Sequence, residues 1–375
     1  MKKVVIAIDS FKGCLPSVEA GKAAAEGIRS VYPECEVICL PIADGGEGML
    51  DVLIMATNGQ EVPISAHDPL MRWRNTYYGI SENEETAFIE MASISGLPLV
   101  PPERRNPMLT TTYGTGEIIR DALERGCRNF IIGIGGSATN DAGLGMLQAL
   151  GFRFSDKEGK EVGTGRGEVL IKVAYIDSTF VHPALNSCRF TVACDVQNPF
   201  YGPEGAAYVF APQKGADREM VEALDAGLQN FAEVIRHTTG KDISHHPGAG
   251  AAGGMGGSLL AFLNAELKPG IQLMLEALDF SNKIKSADLI ITGEGKADRQ
   301  TLMGKVPSGI LAEARKQNIP VILLAGNIED SNELQQAGFE GVFSVNPPFI
   351  SLEEAMRPEV ARKNIQQTVE SICKK

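Results

Sequence analysis

The 375-residue chain has a single tryptophan, and it is poor in the residues that build metal cages and disulfide frameworks, with five histidines and seven cysteines. The cysteines form no CxxC pair and no Cys/His spacing of the zinc-site kind. Cys35 and Cys39 lie on or near one apolar run, where a thiol packs as a small hydrophobe. A reducing cytoplasm is therefore the expected compartment. Long apolar runs are missing too. None is long enough to span a bilayer, and the run after Lys2-Lys3 ends at Asp9, too short for a secretory signal. Basic charge is in deficit: the formal net charge is −12. That argues against nucleic acid or an anionic membrane surface as a partner, and an anionic ligand would have to be held by local donors against the overall field. Two nucleotide signatures are absent. There is no G-x-x-x-x-G-K-[ST] loop, and no G-x-G-x-x-G follows the first strand with an acidic partner.

Glycine is abundant, at 41 residues, and hydrophobic content is 43% against 22% charged. These are the proportions of a globular protein with an ample core, arranged as one very large domain or two ordinary ones. Many glycines follow apolar runs, which places them in turns and ligand loops. The central stretch is 128–151, RNFIIGIGGSATNDAGLGMLQALG. Residues 129–134 read as a buried strand, Gly135-Gly136-Ser137 as a glycine turn, and 146–150 as the end of a helix. Strand, turn and helix in that order aim free N–H groups and a helix dipole at an anion. Ser137 and Thr139 add hydroxyl donors, while Asn140 and Asp141 set an amide and a carboxylate beside them. A plain βα turn capped by Ser or Thr is the other account of the same residues.

Similar loops recur. Lys3–Ile8 reads as a strand with Asp9 to Gly13 at its carboxyl end, where open α/β sheets bind ligands. Lys12 is there a phosphate candidate or a plain surface lysine. Residues 36–42 form a second strand, followed by Asp44-Gly45-Gly46-Glu47-Gly48. Asp44 suits a metal or hydroxyl contact, and Glu47 complements a helix dipole. Short extended runs at 61–65, 72–79 and 86–91 read as an antiparallel meander. A proline-rich connector at 98–107 reads as a crossing between domains. Farther on, 190–193 is a strand ending at Cys194-Asp195, 206–210 another strand, 215–236 a long helix and 258–267 a helix. Then 287–292 is a strand with Gly293, Glu294, Gly295 and Asp298 in its loop, and Lys305 and Pro307 lead the next helix. Residues 320–325 and 342–345 are strands.

Strand–helix alternation at both ends around a meander predicts a discontinuous α/β domain with a second domain inserted. The expected boundaries are 1–60, 107–150 and 285–375 for the first, and 61–106 and 151–284 for the insert. Donors for phosphates, carboxylates for a metal ion and a base near an alcohol suit phosphoryl transfer. The ATP phosphates are expected on the 135–139 turn, from Gly135, Gly136, Ser137, Thr139 and Asn140, with help from Lys12 or Lys305. Gly293, Glu294, Gly295 and Asp298 are further nucleotide candidates. Asp141 and Asp298 are the metal candidates. Asp195, with Lys12 and Asp44 as catalytic companions, is the candidate general base, because it follows a buried strand and precedes Gln197 and Asn198. An Asx-type cap of the turn at 198–202 is its structural alternative.

DSFKG (9–13), ADGGEG (43–48), GIGGSATNDAG (133–143), ACDVQNP (193–199), PQKGA (212–216), GAAGG (250–254) and ITGEG with the following D, QT and GK.P (291–307) together resemble the type I glycerate kinase family. They occur in that family's order across nearly the whole chain. Cys14 stands where the family usually shows Ser, and Lys296 where Arg is common. The resemblance implies an ATP- and Mg2+-dependent kinase acting on D-glycerate, with the 2-hydroxyl favoured over the 3-hydroxyl. It also implies two α/β domains, one flavodoxin-like and one likened to restriction endonucleases, with the site in the cleft between them. It leaves a homodimer open. A kinase of the galactokinase–homoserine kinase type is a rival for GIGGSAT, though the broken α/β order does not suit that fold. A non-catalytic sugar-phosphate-binding regulator is a rival of another class, which Asp44, Asp141, Asp195 and Asp298 argue against.

Overall fold

The computed structural model describes residues 1–43, 45 and 48–374. Its strands are β1 (Lys3–Ile8), β2 (Glu36–Cys39), β3 (Gln60–His67), β4 (Trp73–Ile80), β5 (Thr86–Glu90), β6 (Asn129–Gly133), β7 (Arg153–Ser155), β8 (Tyr175–Asp177), β9 (Arg189–Ala193), β10 (Glu266–Lys268), β11 (Leu289–Ala297), β12 (Val321–Ile328) and β13 (Gly341–Ser344). The chain divides into two units, one made of Met1–Asp44 with Ile271–Lys375, the other of Gly45–Gly270. The first is thus discontinuous and the second inserted into it.

The first unit carries a sheet in the order β13-β12-β11-β1-β2, with every pairing parallel. In the unit's own strand sequence this is 2-1-3-4-5, the flavodoxin-like doubly wound order, whose ligand crevice opens where the order reverses. β1 shows why a parallel strand reads as an unbroken apolar run: Val4 to Ile8 are all buried, because helices cover both faces. Helix Ser17–Val31 packs on helix Pro358–Cys373 through small residues. A Cβ on Gly27 would lie 2.5 Å from the Gln366 carbonyl oxygen.

The second unit carries a mixed sheet, β10-β9-β6-β5-β4-β3. The meander β3-β4-β5 is antiparallel, as expected, and β5-β6-β9-β10 is parallel. Phe130 and Phe190 stack across β6 and β9 with centroids 4.7 Å apart.

Several expectations are corrected. Residues 107–150 belong to the second unit, because β6 finds its partners in β5 and β9. The proline-rich 98–107 lies inside that unit too, as short 3-10 turns rather than a crossing. Ala206–Phe210, expected as a strand, is a helix, with Ala206 and Ala207 buried. The helix expected over 258–267 is Met255–Phe262, and the chain then turns into β10. β11 runs on to Ala297 because β12 pairs with it as far as Ala297 opposite Ile328. Gly293, Glu294 and Gly295 therefore sit on a strand, not in a loop.

Gly27 gives a test of the helix contact in the first unit. At an exposed helical site Ala is favoured over Gly. Here Gly27→Ala is expected to destabilise by about 1–3 kcal/mol through overpacking, read as a lowered urea midpoint. An unchanged or raised midpoint would show that the two helices can separate at no cost.

Candidate active site

In the first unit, the strand ends that follow the reversal of strand order bound a cavity of about 420 Å³. Asp9 and Lys12 come to it from the end of β1, Glu294, Gly295 and Lys296 from β11, Gly326 and Asn327 from β12, and Val345 and Asn346 from beyond β13. Phe11, Leu352 and Met356 supply an apolar wall, and Lys305 a third ammonium beside those of Lys12 and Lys296. The size is that of small-molecule and cofactor sites. Glu294 is 6% exposed. Its Oε1 has no hydrogen-bond partner among the described residues, and its Oε2 lies 3.6 Å from Lys305 Nζ. Burial pushes the Glu294 carboxyl up, against the pull of the Thr301 hydroxyl and the Lys305 ammonium. Such a carboxylate, left short of donors, suits a cation or a ligand proton.

Asp298 stands apart from that cavity. It caps a 3-10 turn as the first residue of a capping box, accepting from the Gln300 amide at 2.8 Å while its own N–H donates to Thr301 Oγ1. Burial alone would raise its carboxyl. The Gln300 bond and the Lys296 and Lys305 ammoniums outweigh that and hold it below the usual range.

In the second unit, β6 ends at Gly133 and the turn Gly135–Ser137 follows, with both glycines exposed. Gly136 has φ of 72°, a left-handed conformation that glycine adopts without strain. The helix does not start there. It runs Leu144–Ala149 behind Gly143, so the expected helix dipole does not point at the turn. The amides at that helix start are already taken. Asp141 Oδ1 accepts from Gly143 N at 3.2 Å, and its Oδ2 from Gly145 N at 3.3 Å and from Thr112 N and Oγ1, both at 2.8 Å. Thr112 Oγ1 in turn accepts from Met146 N at 2.9 Å. Asp141 is fully buried. Burial pushes its carboxyl up, against the pull of the bonds from Thr112, Gly145 and Gly143. A metal ion at Asp141 would have to displace donors that the helix start needs.

What the turn does offer is amides. Among the described residues, the N–H groups of Gly135, Gly136 and Ser137 meet no acceptor, while Leu97 N donates to the Gly136 carbonyl and Ala138 N to that of Ser95. Successive free amides of this kind make an anion-binding concavity. Beneath them is Lys214, 2% exposed. Its Nζ donates to Ser137 Oγ and to the Thr139 carbonyl, each at 2.7 Å. Burial brings the Lys214 ammonium down to about 7, against a raising pull from Asp141. Thr139 Oγ1 and both polar atoms of the Asn140 side chain are buried with no partner among the described residues. Gly253, with φ of 69°, brings the glycine-rich loop so close that any Cβ would collide with the Thr139 carbonyl. Lys214 was not foreseen as a site residue. Its place in PQKGA was the one signal it gave, since a lone lysine beside a proline has no periodicity to mark it as buried.

Asp195 lies beyond β9 and is exposed. Its Oδ1 accepts from the Gly270 amide at 2.8 Å, which ties it to the start of helix Gly270–Ala277. Asn198 donates to the Glu204 carbonyl at 2.8 Å. The structure thus places Lys12, Glu294, Gly295 and Lys305 on one cavity of the first unit. Gly135, Gly136, Ser137, Thr139, Asn140, Asp141 and Asp195 belong to the second. Asp44 lies outside the described residues.

A doubly wound domain with a cavity at its switch point, in one chain with a mixed α/β unit that presents an anion turn, defines an α/β enzyme equipped for phosphorylated ligands. More specifically, the chain belongs to the glycerate kinase family, whose model matches residues 4–375. It is 46% identical over 372 residues to the glycerate kinase of Bacillus subtilis strain 168, covering 99% of this chain and 97% of that protein. It is 47% identical over 356 residues to the glycerate 2-kinase of Escherichia coli K12, covering 95% and 93%. A crystal structure from Salmonella typhimurium LT2 that carries the name glycerate kinase 2 superposes with a TM-score of 0.91 at 44% identity, covering 100% of this chain and 97% of that one. Family membership makes the chain a kinase and an ATP-using enzyme. No helix among the described residues is long and apolar enough to cross a membrane.

Asp141→Ala separates a framing role from a metal-binding one. Removing the carboxylate strands several buried donors, at about 1–3 kcal/mol each. The variant is expected to lose at least about 3 kcal/mol in urea unfolding with no nucleotide or metal present. Unchanged stability without ligands, with loss of metal dependence, would instead make Asp141 a metal ligand.

Proposed function

We propose that the chain transfers the γ-phosphoryl group of ATP to the 2-hydroxyl of D-glycerate, giving 2-phosphoglycerate and ADP. The observation that carries this is the 47% identity, along nearly the whole of both chains, to a protein named glycerate 2-kinase. ATP sits in the cavity of the first unit, its base against Phe11, Leu352 and Met356 and its phosphates toward Lys12 and Lys305. Asp9 and Glu294, on the same cavity, fit a Mg2+ ion that rides on the phosphates. Mg2+ is commonly held by one or two carboxylates plus phosphate oxygens, and among the described residues no group of three His, Cys, Asp or Glu forms a cage. When bound, the ion would neutralise phosphate charge. The turn Gly135–Ser137 holds an oxyanion through its free amides, and Asp141 frames it. Asp298 shapes the end of β11 by capping the turn after it. The compartment is the cytoplasm, in keeping with seven free cysteines.

The remaining chemistry belongs to Asp195. An alcohol is a poor nucleophile, and a carboxylate that accepts its proton both orients it and assists attack. The Asp195 bond to the Gly270 amide fixes one carboxylate oxygen. As the substrate oxygen bonds to the γ-phosphorus, the bond from that phosphorus to the bridging oxygen breaks, ADP carries the electron pair away, and the hydroxyl proton passes to the carboxylate.

The test is ADP release with Mg-ATP and D-glycerate, with the product assigned by phosphorus NMR. Absence of turnover alongside sugar-phosphate binding would favour a non-catalytic regulator, and 3-phosphoglycerate would move the site of transfer. In Asp195→Asn the amide oxygen can still accept from Gly270. Turnover is expected to fall by roughly two to four orders of magnitude, with ATP affinity retained. A variant within about threefold of wild type would leave positioning as the main contribution.

A further inference from the structure

We propose that Lys214 is a positioning residue: its ammonium, bonded to the Ser137 oxygen, turns the Ser137 hydroxyl proton outward and so completes an oxyanion site with the amides of Gly135, Gly136 and Ser137. The ligand is an oxyanion, either the carboxylate of the acid substrate or the phosphoryl group in transfer. Its identity rests on the kinase reading above; the site itself does not.

The geometry leaves the serine proton one use. An ammonium has three donors and no acceptor, and a hydroxyl has one proton and two lone pairs. While Lys214 is protonated, Ser137 Oγ, 2.7 Å from its Nζ, is the acceptor. Its own proton then has to find another acceptor, and among the described residues no hydrogen bond donated by that hydroxyl is present. Lys214 cannot swing away, because its second bond goes to the Thr139 carbonyl and its side chain is buried. The amides of Gly135, Gly136 and Ser137 meet no acceptor on the same turn, and both glycines are open to solvent. Beyond Ala138, the side chains of Thr139 and Asn140 carry buried polar atoms that also have no partner among the described residues. Buried polar groups are seldom left this way without a water or a ligand atom. Four donors at one turn, backed by a buried ammonium, form a site for negative charge in a chain of net charge −12.

Steady-state kinetics on Ser137→Ala, Lys214→Met and the double variant test this, with thermal melts run beside them. Ser137→Ala removes one atom and is expected to keep the fold, with a lowered melting temperature because Lys214 loses one of its two acceptors. It should weaken the relevant parameter by about 10- to 100-fold, the scale of a hydrogen bond to a charged group. A rise in the KM for glycerate alone assigns the turn to the carboxylate. A fall in kcat or a rise in the KM for ATP assigns it to the phosphoryl group. Lys214→Met should move the same parameter, and the double variant should be no worse than Lys214→Met. Ser137→Ala within about twofold of wild type in all three parameters, or effects that multiply in the double variant, would overturn the proposal. If wild type does not phosphorylate glycerate, inorganic phosphate is the probe. Binding by calorimetry that Ser137→Ala weakens supports the site, and equal binding by wild type and variant, or none by wild type, refutes it.

Discussion

Two opposite charges buried beneath one turn set the terms for the second unit. Asp141 and Lys214 are both almost wholly removed from water, and each would be costly there alone. They do not pair directly. Asp141 is met by amides and a threonine hydroxyl, and Lys214 by a serine hydroxyl and a carbonyl. Each charge is thus spread over the loop that must hold its shape. The carboxylate ties the loop to helix Leu144–Ala149 and to Thr112, and the ammonium ties it to the segment that follows helix Ala206–Phe210. A rigid turn with its amides facing outward is the consequence, and a flexible loop could not keep neighbouring N–H groups unbonded.

The first unit is organised by strand order instead. A parallel sheet whose order reverses leaves an opening at its carboxyl edge that no crossover covers. Residues there are on strand ends, held by ladder bonds on one side and free on the other. Glu294 shows the effect. It lies within β11 and its backbone pairs with Ala325 of β12, yet its side chain reaches the cavity from a buried position. Burial without a full set of donors keeps that carboxylate short of partners, which is the state a cation-binding or proton-accepting group needs.

The parallel strands were legible because burial on both faces writes a continuous apolar run: β1 and β6 begin where the sequence places them. The meander was legible from its short extended runs. Their partners were not, because pairing is decided by residues far apart. Nothing within 107–150 says that β6 lies between β5 and β9. At the site, the glycine turn was visible from composition, but the helix starts only at Leu144, several residues beyond the turn, where Asp141 holds the amides of Gly143 and Gly145. Asp298 and Thr301, three residues apart, carry the spacing of a capping box, but a carboxylate in a glycine-rich stretch reads as a metal ligand just as well. Lys214 was hidden for a different reason. A buried lysine is compensated by groups from elsewhere in the chain, here Ser137 and Thr139, and no local pattern records them.

Strong net negative charge and an anionic substrate pull against each other, and the donor types answer that conflict. Exposed lysines would be screened by salt and offset by neighbouring carboxylates; Lys296, for example, lies 3.0 Å from Glu329. Backbone amides carry no counter-charge to attract and cannot be neutralised. A lysine kept below the surface acts through a medium of lower dielectric, where its field is less screened. Its hydrogen bond to Ser137 passes that influence to the surface as an oriented O–H dipole. The turn can thus favour an oxyanion while the protein's outer surface stays acidic.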